Sequence, residues 1–227
     1  MKREARCIKL VKHSNVIKLF DYIDEDENDK VYLVFELANL FSLQDLCEFV
    51  RANTVRDPIT EKHEKQLPMP YIKILFNQLL EGLQACHSKG VVHRDIKPSN
   101  LQLTSDGKLK IIDFGVAETL DKYSVLETTE KFAGTPSFQP PEVAQGQRSF
   151  SATKVDIWAA GVTLYYMVEG SAPFKGDTVD ELYSKISEGA FTYNPSPTFP
   201  SPSQACSIMS NSAKTENYLV AIAFTKA

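Results

Sequence analysis

The sequence predicts an α+β fold in which a short strand-bearing region precedes a larger, mostly helical one. Three stretches carry that expectation. Ile17–Tyr22 and Val31–Phe35 are rich in β-branched and aromatic residues, with the acidic run Asp24–Asp29 between them as a solvated hairpin loop. From Pro70 onward, Ile72, Ile74, Leu75, Leu79, Leu80 and Leu83 form a broad apolar helix face. Thr153–Glu169 is nearly all apolar around Trp158, as expected of a deeply buried helix.

The other elements follow in order. Ala5, Ile8 and Val11 recur at helical spacing within residues 2–12, with basic residues between them. Ser42 suits a helix N-cap, and the helix it opens runs to about Ala52. Residues 53–68 are polar and of mixed charge, which predicts a surface insertion. Val91-Val92, Leu101–Leu103 and Leu109–Ile112 are short strand candidates, with Ser105-Asp106-Gly107 turning between the last two. Leu182–Ile186 gives one more short helix. After Tyr193 the composition shifts: residues 194–212 hold four prolines and six serines, which predicts a disordered tail.

Charge is nearly balanced, with 25 basic against 29 acidic side chains and a net charge of −4, which argues against a dedicated nucleic-acid or membrane-surface protein. Cys7, Cys47, Cys86 and Cys206 are scattered without a Cys-x-x-Cys pair, so a disulfide or metal framework is not expected. Met1-Lys2-Arg3-Glu4 leads into an amphipathic pattern, not a signal peptide. The run Tyr218–Phe224 is far short of the ~20 residues that span a bilayer. The expected location is the cytoplasm, with the nucleus as a second site.

Chemistry concentrates in His93-Arg94-Asp95-Ile96-Lys97-Pro98-Ser99-Asn100, followed thirteen residues after Asn100 by Asp113-Phe114-Gly115. Asp95 can accept or orient the proton of a hydroxyl nucleophile. Lys97, two residues on, reaches the same side of an extended loop to meet a phosphate. Asn100 and Asp113 offer one neutral and one charged oxygen, as magnesium prefers. Taken singly, each is an ordinary loop polar residue. Pro140-Pro141-Glu142 and Asp156-Ile157-Trp158 then follow in order. The ensemble resembles the catalytic and metal-binding loops of protein kinases, which implies a protein-kinase-like fold and the use of ATP and Mg2+. The Asp-x-Lys-x-x-Asn spacing is similar to that of serine/threonine kinases, and Thr135 matches the residue that contacts the catalytic Asp and Lys in that class.

A narrower resemblance rests on longer runs: Gly134-Thr135-Pro136-Ser137-Phe138-Gln139-Pro140-Pro141-Glu142, Asp113–Glu118, Lys154–Tyr165 and Pro173–Asp177. Over about Glu4 to Phe191 these resemble the liver kinase B family, which activates AMP-activated protein kinase and its relatives. The resemblance implies protein substrates that include such kinases, and activation by a pseudokinase adaptor and a helical-repeat scaffold. Arg94 and Phe114 depart from that family's Lys and Leu. Arg94 is expected to meet a phosphate on the activation segment, where Ser124, Thr128, Thr129 and Ser137 are candidate acceptors.

The same resemblance makes Glu4 the glutamate that pairs with an ATP-holding lysine. Glu36 and Ala38 become the hinge whose backbone binds adenine, with Phe35 as gatekeeper. Gln102 takes the place of a leucine beneath the adenine ring, giving a polar floor. Residues 1–37 are then a partial small lobe, 38–192 a large lobe lacking its last helices, and 193–227 the tail. No glycine-rich loop or Val-Ala-x-Lys strand is present, and Glu142 has no late arginine to pair with its buried carboxylate, so a chain truncated at both ends is expected. The alternative is a catalytically impaired fragment that serves as a protein-binding module.

Overall fold

A computed structural model describes residues 2–25, 30–57, 59, 63–120, 133–147 and 149–189. Helix α1 (Lys2–Leu10) buries Ala5, Cys7 and Ile8. Strands β1 (Leu19–Glu25) and β2 (Lys30–Phe35) pair antiparallel, with a bulge between Leu19 and Asp21. Asp24 and Glu25 of the acidic run therefore belong to β1, while residues 26–29 lie outside the described set.

The first strand begins two residues later than its composition predicts. Ile17 donates instead to the carbonyl of Ile111 at 2.9 Å, and Val16 bridges Ile111, so this segment is tied to a distant part of the chain before the hairpin starts.

Helix α2 (Leu43–Ala52) starts at the expected cap. Ser42 Oγ accepts the Asp45 N–H at 3.1 Å and Asp45 Oδ2 accepts the Ser42 N–H at 2.9 Å, which satisfies two donors that the helix start would otherwise leave unpaired. The region expected to be a polar insertion contains a small hairpin, β3 (Val55–Arg56) with β4 (His63–Glu64), and Asp57 and Leu67 are buried.

Helix α3 (Met69–Ser88) is the central element and presents Ile72, Leu75, Phe76, Leu79, Leu80 and Leu83 to the core. Gly82 lets it approach closely: a Cβ there would sit 2.8 Å from Ile111 Cδ1 and 3.0 Å from the Asn15 carbonyl. Four short strands follow. β5 (Val91–Val92) pairs with β8 (Glu118–Thr119), and β6 (Leu101–Leu103) pairs with β7 (Leu109–Ile111) around the turn at Gly107. The two pairs bring the residues flanking Asp95 and Asp113 onto one side of α3.

Beyond α4 (Pro141–Ala144), helix α5 (Ala152–Glu169) is largely buried, as expected, and ends on left-handed Gly170. Trp158 itself is only half-buried and stacks on Phe174 with ring centroids 6.3 Å apart. Helix α6 (Val179–Glu188) covers Phe174 with Leu182 and Ile186. The predicted tail 193–227, with Cys206 and the run Tyr218–Phe224, lies outside the described residues. Among the described residues no helix is long and apolar enough to cross a membrane.

Candidate active site

The loop between β5 and β6 is held from below by one carboxylate. Asp156, on α5, is fully buried; its Oδ2 accepts the His93 N–H at 2.9 Å and its Oδ1 accepts the Arg94 N–H at 2.7 Å. His87 at the end of α3 lies 2.8 Å from the same Oδ2. Burial alone would raise the Asp156 pKa. The hydrogen bond from His87 and the backbone donors outweigh it and hold the carboxyl below its ordinary value. These bonds sustain an unusual backbone, since Arg94 has φ +71° without being glycine.

His93 joins this loop to the other half of the site. Its Nδ1 accepts the Asp95 N–H at 3.3 Å and its Nε2 donates to the Ile112 carbonyl at 2.8 Å, while its ring meets buried Phe114 edge to face at 4.8 Å.

On this support three side chains close a triangle. Thr135 Oγ1 donates to Asp95 Oδ1 at 2.8 Å, Lys97 Nζ donates to Thr135 Oγ1 at 2.8 Å, and Lys97 Nζ lies 2.8 Å from Asp95 Oδ2. Burial raises the Asp95 pKa, but the hydrogen bonds from Lys97 and Thr135 and the Lys97 charge prevail, and the carboxyl stays below its ordinary value. Asp95 is thus ionised at neutral pH, as a group that orients a hydroxyl proton must be. Gly134 permits the approach of Thr135: at φ +101°, a Cβ would collide with the Arg94 carbonyl oxygen and lie 2.7 Å from Gln139 Nε2.

Asn100 closes the loop. Its Nδ2 donates to the Asp95 carbonyl at 2.9 Å and to Asp95 Oδ2 at 3.0 Å, which leaves its amide oxygen for a cation. Its carbonyl accepts the N–H of Ile112 at 3.0 Å, one residue before Asp113. Asp113 is exposed, with φ +60°. One amide oxygen and one carboxylate suit magnesium, which takes few protein ligands and completes its shell with phosphate oxygens and water.

A cleft of about 380 Å³ opens beside Asp113, lined by Glu4, Ile17, Phe35, Ala38, Gln102 and Ile112. The structure therefore brings Glu4, Ala38 and Gln102 together with Asp113. Burial, and after it the charge of Asp113, pushes the Glu4 pKa up. Gln102 faces the cleft between buried Leu101 and Leu103, and its amide donates to the Leu40 carbonyl, so the floor is polar as the alternation of the strand predicts.

Glu36 stands apart from the cleft lining. Its carboxylate accepts from Lys110 Nζ at 2.8 Å and from the Lys18 N–H at 2.7 Å, and its own N–H bonds the Lys18 carbonyl.

Other expected residues fall differently. Arg94 meets Glu118 at 2.7 Å. Ser124, Thr128 and Thr129 lie outside the described residues, and Ser137 sits in a short 3-10 helix, half-buried. Glu142 is half-buried, not buried, so the expected cost of a fully desolvated lone carboxylate does not arise. Asp156 stands in the sequence as part of Asp156-Ile157-Trp158, with no role legible from that run alone. A carboxylate inside a nearly all-apolar helix was the signal available.

With this geometry in view, comparison with known proteins is decisive: the protein kinase domain family matches residues 1–217. The chain belongs to that family. It is 42% identical over 192 residues to serine/threonine-protein kinase STK11 of Rattus norvegicus, covering 85% of this chain and 41% of that protein. The human STK11 is 40% identical over 191 residues, with 84% and 41% covered. CBL-interacting protein kinase 32 of Oryza sativa subsp. japonica is 34% identical over 203 residues, with 88% and 42% covered. The chain thus spans about two fifths of the length of these relatives. The α+β kinase-like architecture and the similarity to liver kinase B, the family of STK11, agree with the sequence expectation. Kinase domains use ATP and magnesium generally, and the oxygen donors of Asn100 and Asp113 fit that metal.

Proposed function

We propose that this kinase domain transfers the terminal phosphoryl group of ATP to serine or threonine hydroxyls of protein substrates. The observation that carries the reading is the triangle of Asp95, Thr135 and Lys97, closed by three contacts of 2.8 Å. Asp95 takes the role of orienting and receiving the hydroxyl proton. Lys97, already within reach of that carboxylate, meets the charge of the transferred group. Thr135 fixes both against rotation. Asn100 and Asp113 hold magnesium, which when bound neutralises phosphate charge. Glu4, Ala38 and Gln102 bound the nucleotide cleft, with the Glu36 carbonyl toward the adenine edge. Kinases of the AMP-activated family as substrates, a pseudokinase adaptor and a helical-repeat scaffold as partners, and action in the cytoplasm and nucleus belong to the same proposal, on the resemblance of the sequence runs at Gly134–Glu142, Asp113–Glu118 and Lys154–Tyr165 to liver kinase B.

The test is transfer of radiolabel from ATP to Ser-, Thr- and Tyr-bearing peptides, with and without magnesium. Magnesium-dependent labelling of the Ser and Thr peptides, lost in Asp95→Ala, is expected. Equal labelling by Asp95→Ala, or labelling of the Tyr peptide alone, overturns the assignment.

Two observations favour a second reading, a non-catalytic protein-binding module. Glu4 makes no ion pair among the described residues, and the floor of the cleft is polar at Gln102. Thermal denaturation across a magnesium-ATP titration separates the two: saturable stabilisation supports the enzyme, and a folded chain that ATP does not stabilise supports the module.

A further inference from the structure

The chain is acidic overall, yet residues 2–18 carry six Lys and Arg side chains against the single carboxylate of Glu4. Part of that charge is neutralised: Lys2 pairs with Asp24 at 2.8 Å and Arg3 lies 3.3 Å from Glu118. Lys9, Lys12 and Lys18 are exposed and form no ion pair among the described residues. All three stand around one groove of about 390 Å³ at the junction of α1 and β1. Its floor is apolar, formed by Ile8, Val11, Val16 and Leu19.

Two of the cations are held in place without being neutralised. Lys9 Nζ lies 5.6 Å from the centroid of Tyr22 and Lys18 Nζ lies 5.1 Å from that of Phe20, contacts that orient an ammonium and leave its charge available. His13 also faces the groove; its Nδ1 accepts the Asn15 N–H at 3.2 Å, leaving Nε2–H as a donor. The groove shares no lining residue with the cleft beside Asp113.

We propose that this groove is a docking site for an acidic segment of a partner protein that inserts an apolar side chain between the lysines. The depth and apolar floor call for a buried anchor, and the unneutralised rim calls for carboxylates on either side of it. A flat anionic membrane would satisfy the rim and leave the floor empty.

The test uses the full 227-residue chain and a fluorescent peptide in which Phe and Leu alternate with Asp and Glu. Fluorescence anisotropy is expected to show saturable binding that weakens with salt. Lys12→Glu and Lys18→Glu should each lower the affinity about tenfold, with circular dichroism and Tm unchanged. A peptide with Ser in place of Phe and Leu should lose most of the binding. Equal binding of the Ser peptide, indifference to both reversals, or sedimentation with phosphatidylserine vesicles that the peptide cannot compete away would each overturn the proposal.

Discussion

Lys110 and Glu36 meet at 2.8 Å across 74 residues of chain, with 10% and 22% of their side chains exposed. Lys110 Nζ also donates to the Ser14 carbonyl at 3.0 Å, so a single ammonium joins β7, the end of β2 and the segment after α1. The β1–β2 hairpin is thus fastened by charge to β7 at the point where that strand leads into Asp113.

Lys110→Met leaves Glu36 half-buried without its cation. Breaking a buried pair costs about 3–5 kcal/mol, and the partial exposure of Glu36 lowers this to about 2 kcal/mol. Urea denaturation is the measurement, and the double variant Lys110→Met, Glu36→Gln should recover part of the loss. Additive losses in the pair would mean that the contact contributes no coupling.

Thr135→Ala removes the hydroxyl that links Asp95 and Lys97 and nothing else of the loop. Phosphoryl transfer should fall by about tenfold to a hundredfold in kcat, with KM for ATP little changed. Gly134→Ala should be worse and of another kind, since its Cβ collides with the Arg94 carbonyl; the expected sign is a lower Tm. Steady-state kinetics beside thermal denaturation distinguishes the two effects.

Acid should destabilise the fold through Asp156 and Asp95. Both carboxyls are held below their ordinary values in the folded state. Their stabilising contribution is therefore complete above the unfolded carboxylate pKa of about 3.9 and is lost as pH falls through the lower folded values. Denaturation midpoints should hold steady from neutral pH to about pH 5 and drop below about pH 4. Asp156→Asn, which cannot accept from all three of its donors, should be less stable at pH 7 and show a shallower drop. An unchanged drop in that variant would assign acid lability to other groups.

Three thiols should be inert in the native protein. Cys7, Cys47 and Cys86 are buried. Burial pushes the Cys47 thiol up to about 12 and raises Cys7 and Cys86 as well. In a Cys206→Ser background, iodoacetamide at pH 8 should label none of them until denaturant is added. Rapid native labelling, read by mass spectrometry, would show that the core around α1 and α3 opens.

The regular elements were legible because their periods are local. The face of α3, the cap at Ser42 and the alternation of Leu101, Gln102 and Leu103 each depend on residues a few positions apart. The loop residues Asp95, Lys97, Asn100 and Asp113 were legible through their spacing. The start of β1 was not, because Ile17 looks like a strand residue and pairs with Ile111 instead. Nor was the small hairpin of β3 and β4, whose polar composition conceals a buried Asp57. Two long-range carboxylate contacts, Asp156 beneath the catalytic loop and Glu36 against Lys110, act across more than sixty residues, which no local pattern records.

Asp113 is a poor residue for the fold at two levels. Its φ of +60° suits glycine or asparagine, and a side chain there costs about 1 kcal/mol. Its charge also adds, after burial, to pushing the Glu4 carboxyl up. A protein shaped only for stability would carry glycine here, relaxed and uncharged. The tension at this position favours positive charge: a cation held by Asp113 would be rewarded by the repulsion it ends, as well as by the oxygens it finds.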